Sequence, residues 1–262
     1  MTWAYYLIIF LLGAALGSFL NAYAWRVRNG TSVWRGRSRC RECETQIRWH
    51  DNIPIASFFV LQGKCRDCKK QIALQYPLVE LWMGLAFVFV AQYHRLITDH
   101  WSLIIRDWFI VFILTLIFVY DLLHQEILDR FTLLPAGILF VFSLIFQSSN
   151  LPILQSISGM GIGALVAGGF FFLQFAVSKG RWIGGGDIRL GVLMGVILGW
   201  PNILVALMIA YVLGAVVGLV LVGTRKADMQ SAVPFGTFLT AATFVAMFWG
   251  EGIVGWYRSL IM

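Results

Sequence analysis

The sequence predicts an all-α, polytopic membrane protein with about eight transmembrane helices joined by one sizeable polar loop, and three observations carry the prediction. Of its 262 residues 59% are hydrophobic and 13% charged, with a mean hydropathy of +0.78, too little polar surface to coat a water-soluble globule. The apolar residues fall into eight runs separated by polar segments. The cations are unevenly placed: 11 of the 20 Lys and Arg lie in the first of these segments and most of the rest in alternate ones, as expected of cytoplasmic loops beside an anionic leaflet.

The eight runs are residues 5–25, 77–93, 108–123, 131–146, 153–177, 188–200, 203–223 and 235–249. The first has no basic segment ahead of it and runs through Gly13-x-x-x-Gly17 to Asn21, which reads as a retained, close-packing span; a signal peptide is the competing reading. The sixth has 13 residues, about 20 Å at 1.5 Å per residue against a hydrocarbon core near 30 Å. Charge alternation retains it as a span, because otherwise Arg225 and Lys226 would move to the opposite face. The topology that follows puts the odd-numbered loops in the cytoplasm and both termini outside. Residues 1–25 are then a first span, 26–76 a cytoplasmic loop and 77–262 a seven-span domain. No internal repeat is identified, and the net charge of +7 does not indicate nucleic-acid binding, since its cations sit in loops between spans.

The loop at 26–76 is too small to hold a proper core without a staple. It contains all four cysteines, as Cys40-x2-Cys43 and Cys65-x2-Cys68. Two such pairs about twenty residues apart suit a tetrahedral, four-thiolate zinc site. Two disulfides are the alternative, disfavoured in a reducing cytoplasm. Four thiolates leave no open position on the metal, so its role is structural, and His50 reads as a loop histidine.

Two carboxylates stand at the ends of apolar runs: Asp121, and Asp187 after Gly184-Gly185-Gly186. A charge at the edge of the hydrocarbon is costly and seldom accidental. The topology places both at the same, cytoplasmic, membrane depth. Asp187 alone would be explained as a helix N-cap, but Asp121 falls at a helix C-terminus, the unfavourable end for an anion. The glycines are either a flexible linker or a stretch that admits close backbone approach and positive φ. Two carboxylates within hydrogen-bond reach share one proton, the working state of an aspartic protease, which needs no metal or other cofactor for hydrolysis. His94, His100 and His124 are expected in loops, and neither a serine elbow nor a His-Glu-x-x-His is present. Glu126 and Asp129 read as a solvated loop face able to attract a basic peptide. Glu80, just inside the second run, is either functional or a buried partner of an arginine such as Arg26. Gly159-Met160-Gly161-Ile162-Gly163 lacks a preceding strand and reads as a close-packing face, as does Gly214-x-x-x-Gly218.

With these residues in place the sequence resembles the type IV prepilin peptidases, within the Gly-x-Gly-Asp intramembrane aspartyl proteases. The resemblance rests on Gly17-Ser18-Phe19-Leu20-Asn21 with Arg26 following, the paired Cys-x-x-Cys, Asp51-Asn52-Ile53-Pro54, Tyr76-Pro77-Leu78-Val79-Glu80-Leu81, the Asp121 segment through Ile127 and Asp129, Gly184-Gly185-Gly186-Asp187, and Pro234-Phe235-Gly236. It implies that Asp121 and Asp187 are the catalytic pair and that the substrates are prepilins or pseudopilins with short basic cytoplasmic leaders, in pili or type II secretion. It also implies an inner-membrane location and N-methylation of the new N-terminus from S-adenosylmethionine, associated with the cysteine loop; Glu80, Asn21 and Arg26 are the candidates there. Leu128, Arg189 and Thr237 depart from the family pattern, the last standing where proline is frequent, and none is expected to touch a carboxylate. A peptidase without methyl transfer, and a transporter or scaffold using the aspartates as an ion site, are the other readings.

Overall fold

The structure, a computed structural model, describes residues 3–33, 36–97, 101–146, 153–224 and 233–261. The eight apolar runs become the helices α1 (Trp3–Arg28), α3 (Gln75–Ile97), α4 (Trp101–His124), α5 (Asp129–Ile145), α6 (Ile153–Ser178), α7 (Gly185–Leu198), α8 (Asn202–Gly223) and α9 (Phe235–Ile261). The polar loop adds a 3-10 turn at Trp49–Asn52 and the short α2 (Ala56–Val60). No strand forms among the described residues; two isolated β-bridges lie in the loop. Arg225, Lys226 and His100 lie outside the described residues.

Six helices, α1, α3, α4, α6, α8 and α9, are long and apolar enough to cross a membrane. The other two are shorter than the expected eight spans require: α5 has 17 residues and α7 has 14, about 26 and 21 Å against a core near 30 Å. The shortness of α7 has a packing reason. Its Leu190, Leu193 and Met194 are fully buried, because α5, α6 and α9 surround it. A helix enclosed by protein satisfies its surroundings without matching the bilayer. The reverse holds for α8, where Leu204, Met208, Val212, Val216 and Leu219 are exposed, an apolar stripe suited to lipid.

The chain divides into two compact units, Met1–Leu116 and Ile117–Met262, with the division inside α4. In the first, α1 and α3 pack backbone to backbone through the predicted glycine pair: a Cβ on Gly13 would sit 2.5 Å from the Met83 carbonyl oxygen, and one on Gly17 2.9 Å from Glu80 Cα. Trp108 of α4 stacks on Phe87 of α3, ring centroids 5.0 Å apart. In the second unit, α6 and α7 cross at Gly163 and Gly195, where a Cβ on Gly195 would sit 2.3 Å from the Gly163 carbonyl oxygen. Of the Gly-x-Gly-x-Gly run only Gly163 packs this closely; Gly159 and Gly161 have open space where a Cβ would go, as does Gly218.

Candidate functional site

Asp121 lies in the last turn of α4 and is 4% exposed. The unfavourable end of its own helix is offset by the favourable end of another. Its Oδ2 accepts the Thr237 N–H at 2.9 Å, and the Gly236 N–H interacts with the same carboxylate. Both donors belong to the first turn of α9, whose N–H groups have no helical partner and carry the positive end of the dipole. Pro234-Phe235-Gly236 is thus the start of the helix that receives Asp121. A Cβ on Gly236 would sit 2.8 Å from Asp121 Oδ2 and 2.8 Å from Ile127 Cδ1. Gly236→Ala is therefore expected to overpack by about 1–3 kcal/mol and displace the carboxylate, with a fall in turnover of about 10²-fold, the scale of an ångström misplacement. Kinetics of the purified variant beside its thermal stability check this.

Asp187 is 8% exposed and occupies the third position of α7. Its Oδ2 accepts the N–H of Gly184, the N-cap residue, at 3.0 Å. It is the reaching-back carboxylate of a cap and not the N-cap itself. The negative charge of Asp121 acts on Asp187, so the two groups lie within electrostatic reach. Ile127, from the α4–α5 connection, lies against Gly186 of α7 and Gly236 of α9: a Cβ on Gly186 would sit 2.8 Å from Ile127 Cβ and one on Gly236 2.8 Å from Ile127 Cδ1. None of the three glycines has positive φ, which corrects that part of the sequence reading. Gly186 is required for close approach, and Gly184 has an ordinary extended φ of −81°.

Two further corrections concern neighbouring residues expected to stay clear of carboxylates. Arg189 pairs with Asp129, which is exposed as expected but opens α5 instead of lying in the loop before it. Thr237 donates its N–H to Asp121, a bond that proline at this position would lack. Glu126 is exposed.

The four cysteine sulfurs lie within 4.8 Å of one another, with Cys40 Sγ and Cys68 Sγ 3.8 Å apart. A tetrahedron with 2.3 Å metal–sulfur arms has edges of about 3.8 Å, so the donor set fits a metal. Thr45 holds the Cys43 thiol down to about 6, while desolvation and the neighbouring thiols push Cys68 up to about 12; a metal among them would deprotonate all four. Here the structure exposes a repeat that the sequence reading missed. In the first knuckle Cys40 N–H donates to Thr45 O, Glu44 N–H to Cys40 O and Ile47 N–H to Ser38 O; in the second, Cys65, Lys69 and Ile72 do the same to Lys70, Cys65 and Gly63. Glu44 and Lys69 both take positive φ, 55° and 60°. The signal was present in Cys40-Arg41-Glu42-Cys43-x-x-Gln46-Ile47 against Cys65-Arg66-Asp67-Cys68-x-x-Gln71-Ile72.

The equivalent arginines anchor the two knuckles differently. Arg41 lies over the rings of Trp25 and Tyr76, 5.9 and 5.1 Å from their centroids. Arg66 forks onto Asp51 with bonds of 2.8 and 2.6 Å, and holds that carboxyl below its usual range. His50 lies against Asp51 at 3.7 Å, outside the thiol cluster.

Beyond this turn, Ala56 N–H donates to Pro54 O at 2.6 Å, closing a γ-turn in which Ile55 has φ 62° and ψ −55°. A β-branched residue there is strained by about 1–3 kcal/mol. The turn aims the Ile55 N–H at Glu80 Oε2, 2.7 Å away. Ser18 interacts with the same carboxylate. Arg26 is not its partner: the guanidinium donates instead to the Val33 and Gly36 carbonyls at 2.8 and 2.9 Å. Asn21 bonds Tyr76 O and Gln75, tying α1 to the start of α3.

His94 is not in a loop. Because α3 extends past residue 93, His94 is a buried helical residue bonded to Asp107 at 2.6 Å, and Arg106 donates to the other oxygen at 2.7 Å. Asp107 had not been singled out; its signal was an ionisable pair just beyond two consecutive apolar runs.

Comparison with known proteins agrees in both units. The chain matches the family models described as the bacterial peptidase A24 N-terminal domain over residues 11–94 and the type IV leader peptidase family over residues 108–219. It is similar to the prepilin leader peptidase/N-methyltransferase of Stutzerimonas stutzeri, 30% identical over 97% of this chain and 94% of that one. It is also similar to proteins of the same name from Aeromonas salmonicida (strain A449), 29% identical over 100% and 97%, and Myxococcus xanthus (strain DK1622), 33% identical over 85% and 65%. No solved structure matches significantly.

Proposed function

Since the chain belongs to the type IV leader peptidase family, we propose that it is a prepilin leader peptidase with N-methyltransferase activity, hydrolysing at Asp121 and Asp187. The observation that carries the hydrolytic reading is that two buried aspartates at helix ends lie within electrostatic reach. The ionised member takes a proton from water as the water oxygen adds to the scissile carbonyl carbon, while the protonated member hydrogen-bonds the carbonyl oxygen. Collapse breaks the C–N bond, and the leaving amine takes the proton. The first turn of α9 and the Gly184 N–H hold the two carboxylates through this exchange.

The substrates are prepilins or pseudopilins, and the protein is a multi-pass protein of the inner membrane with the cysteine loop and both aspartates on the cytoplasmic side. Charge alternation supports this sidedness. A basic leader in the cytoplasm then meets the carboxylates at the membrane edge, with Glu126 adding negative potential. Zinc is the metal we assign to Cys40, Cys43, Cys65 and Cys68, on the tetrahedral edge length and donor type. S-adenosylmethionine supplies the methyl group for the new amine. We place methyl transfer in the unit containing the cysteine loop and Glu80, and hydrolysis in the unit containing Asp121 and Asp187.

Purified protein in liposomes is expected to convert a prepilin to a leaderless product whose N-terminus carries one added methyl when the donor is present. Mass spectrometry of that product is the test: no cleavage across several prepilins overturns the peptidase, and cleavage without the added methyl leaves a peptidase alone.

A further inference from the structure

A polar pair stands on the apolar flank of the unit that carries the two aspartates. The Tyr211 hydroxyl of α8 accepts from Gln174 Nε2 of α6 at 2.8 Å and donates to Gln174 Oε1 at 3.0 Å, which uses two of the four hydrogen-bonding sites of the amide. The neighbours of the pair are exposed and apolar: Phe170, Leu173 and Val177 on α6, Met208 and Val212 on α8. Tyr211 is itself 37% exposed, so the pair can be reached from outside.

It also stands beside the aspartates. Asp187 precedes Gly199 by 12 residues and Tyr211 follows it by 12, so each lies about 18 Å of helix from the turn that joins α7 to α8. The charge of Asp187 acts on Tyr211. The Tyr211 ring meets Phe235 edge-on, centroids 5.1 Å apart, and Phe235 directly precedes the Gly236 and Thr237 N–H groups that hold Asp121. Phe235 in turn meets Phe171, centroids 6.3 Å apart. Phe171 fills the space over Gly191, where a Cβ would sit 2.6 Å from its Cδ2, and Gly191 lies one turn from Asp187 on the same face of α7. Aromatic contacts thus fix Tyr211 to the helix starts that present both carboxylates.

A peptide cut here has a backbone requirement that the aspartates do not meet. The scissile peptide must leave helical bonding before water can reach its carbonyl, and in an apolar surrounding every freed N–H and C=O needs a partner. A tyrosine hydroxyl and a glutamine amide each donate and accept, so together they can supply both kinds of bond. We infer that Gln174 and Tyr211 bind the extended substrate backbone next to the scissile peptide, exchanging their mutual bonds for bonds to a substrate N–H and C=O. The inference rests on the peptidase reading above and leaves the proton transfers to Asp121 and Asp187. Backbone bonds are indifferent to side chains, so the same pair serves prepilins of different sequence.

The test separates substrate binding from a simple tie between α6 and α8. Tyr211→Phe keeps the ring on Phe235 and removes the hydroxyl; Gln174→Leu keeps the size and removes the amide. In liposomes each is expected to lower kcat for a prepilin about tenfold, the worth of one ordinary hydrogen bond. KM should stay within about twofold, because the bonds form to the extended peptide and not to the bound helix. That loss at an unchanged melting temperature supports the inference. A lower melting temperature with kcat unchanged makes the pair a structural tie and overturns it. Where both fall, cross-linking decides, and it needs neither variant. A prepilin carrying a diazirine analogue of leucine beside the scissile bond is photolysed with full-length Asp121→Asn protein, and the label is mapped by peptide mass spectrometry. Label on the peptide containing Gln174 or on that containing Tyr211 supports the site; label confined to other peptides overturns it. Wild type that cleaves no prepilin removes the peptidase reading itself, whereas wild type and both variants cleaving alike overturns this inference alone.

Discussion

Asp121→Asn and Asp187→Asn are each expected to reduce prepilin cleavage by about 10³-fold or more while leaving the protein folded. The amide keeps the shape and the acceptor oxygen, so the Thr237 and Gly184 N–H groups retain their partners. What is lost is the ability to exchange a proton, which the mechanism requires of both members at once. For the same reason the double variant is expected to be little worse than either single one, since groups that act as a unit are not additive. Cleavage rates of the three variants, beside their melting temperatures, decide the matter. Cleavage within tenfold of wild type in either single variant would exclude the pair and return the ion-site reading to the front.

Removing the metal is the second large effect. The cysteine loop has two short knuckles, a 3-10 turn and a five-residue helix, and structural zinc supplies about 10–16 kcal/mol of apparent binding free energy in comparable small sites. Chelation, or Cys40→Ser with Cys65→Ser, is therefore expected to unfold the loop. Methylation should be lost while cleavage falls by much less, because Asp121, Asp187, Gly236 and Ile127 all belong to the unit Ile117–Met262. Metal content by elemental analysis, loop protection by hydrogen exchange and the methylated fraction of cleaved product measure the three parts. Equal loss of both activities would make the loop part of the peptidase.

The cysteine loop also shows where reading a sequence stops short. Pair spacing was enough to single out four cysteines whose sulfurs the fold brings together, because metal geometry constrains spacing directly. The repeat was legible, since Cys40, Arg41, Cys43, Gln46 and Ile47 recur as Cys65, Arg66, Cys68, Gln71 and Ile72; only the structure shows that the likeness extends to the backbone bonding and to positive φ at Glu44 and Lys69. The burial of His94 and Asp107 was not legible in this way. His94 stands just after one apolar run and Asp107 just before the next, where a hydropathy boundary suggests water, and only the packing of α3 and α4 makes those positions an interior.

The sequence by itself determined the helices, their order, the four cysteines that the fold gathers and the two aspartates that it buries at helix ends, since hydropathy, charge asymmetry and pair spacing are local quantities. It did not determine what stabilises Asp121 at the end of a helix that disfavours it, nor why Gly186 and Gly236 lack side chains. Those answers depend on residues far apart in the chain: Thr237 at the start of another helix, and Ile127 lying against both glycines. The tertiary structure also decided that Arg26 serves the loop carbonyls and leaves Glu80 to Ile55. Partner choice between a charge and a backbone dipole is settled by distance and direction after packing, and neither is written in residue type.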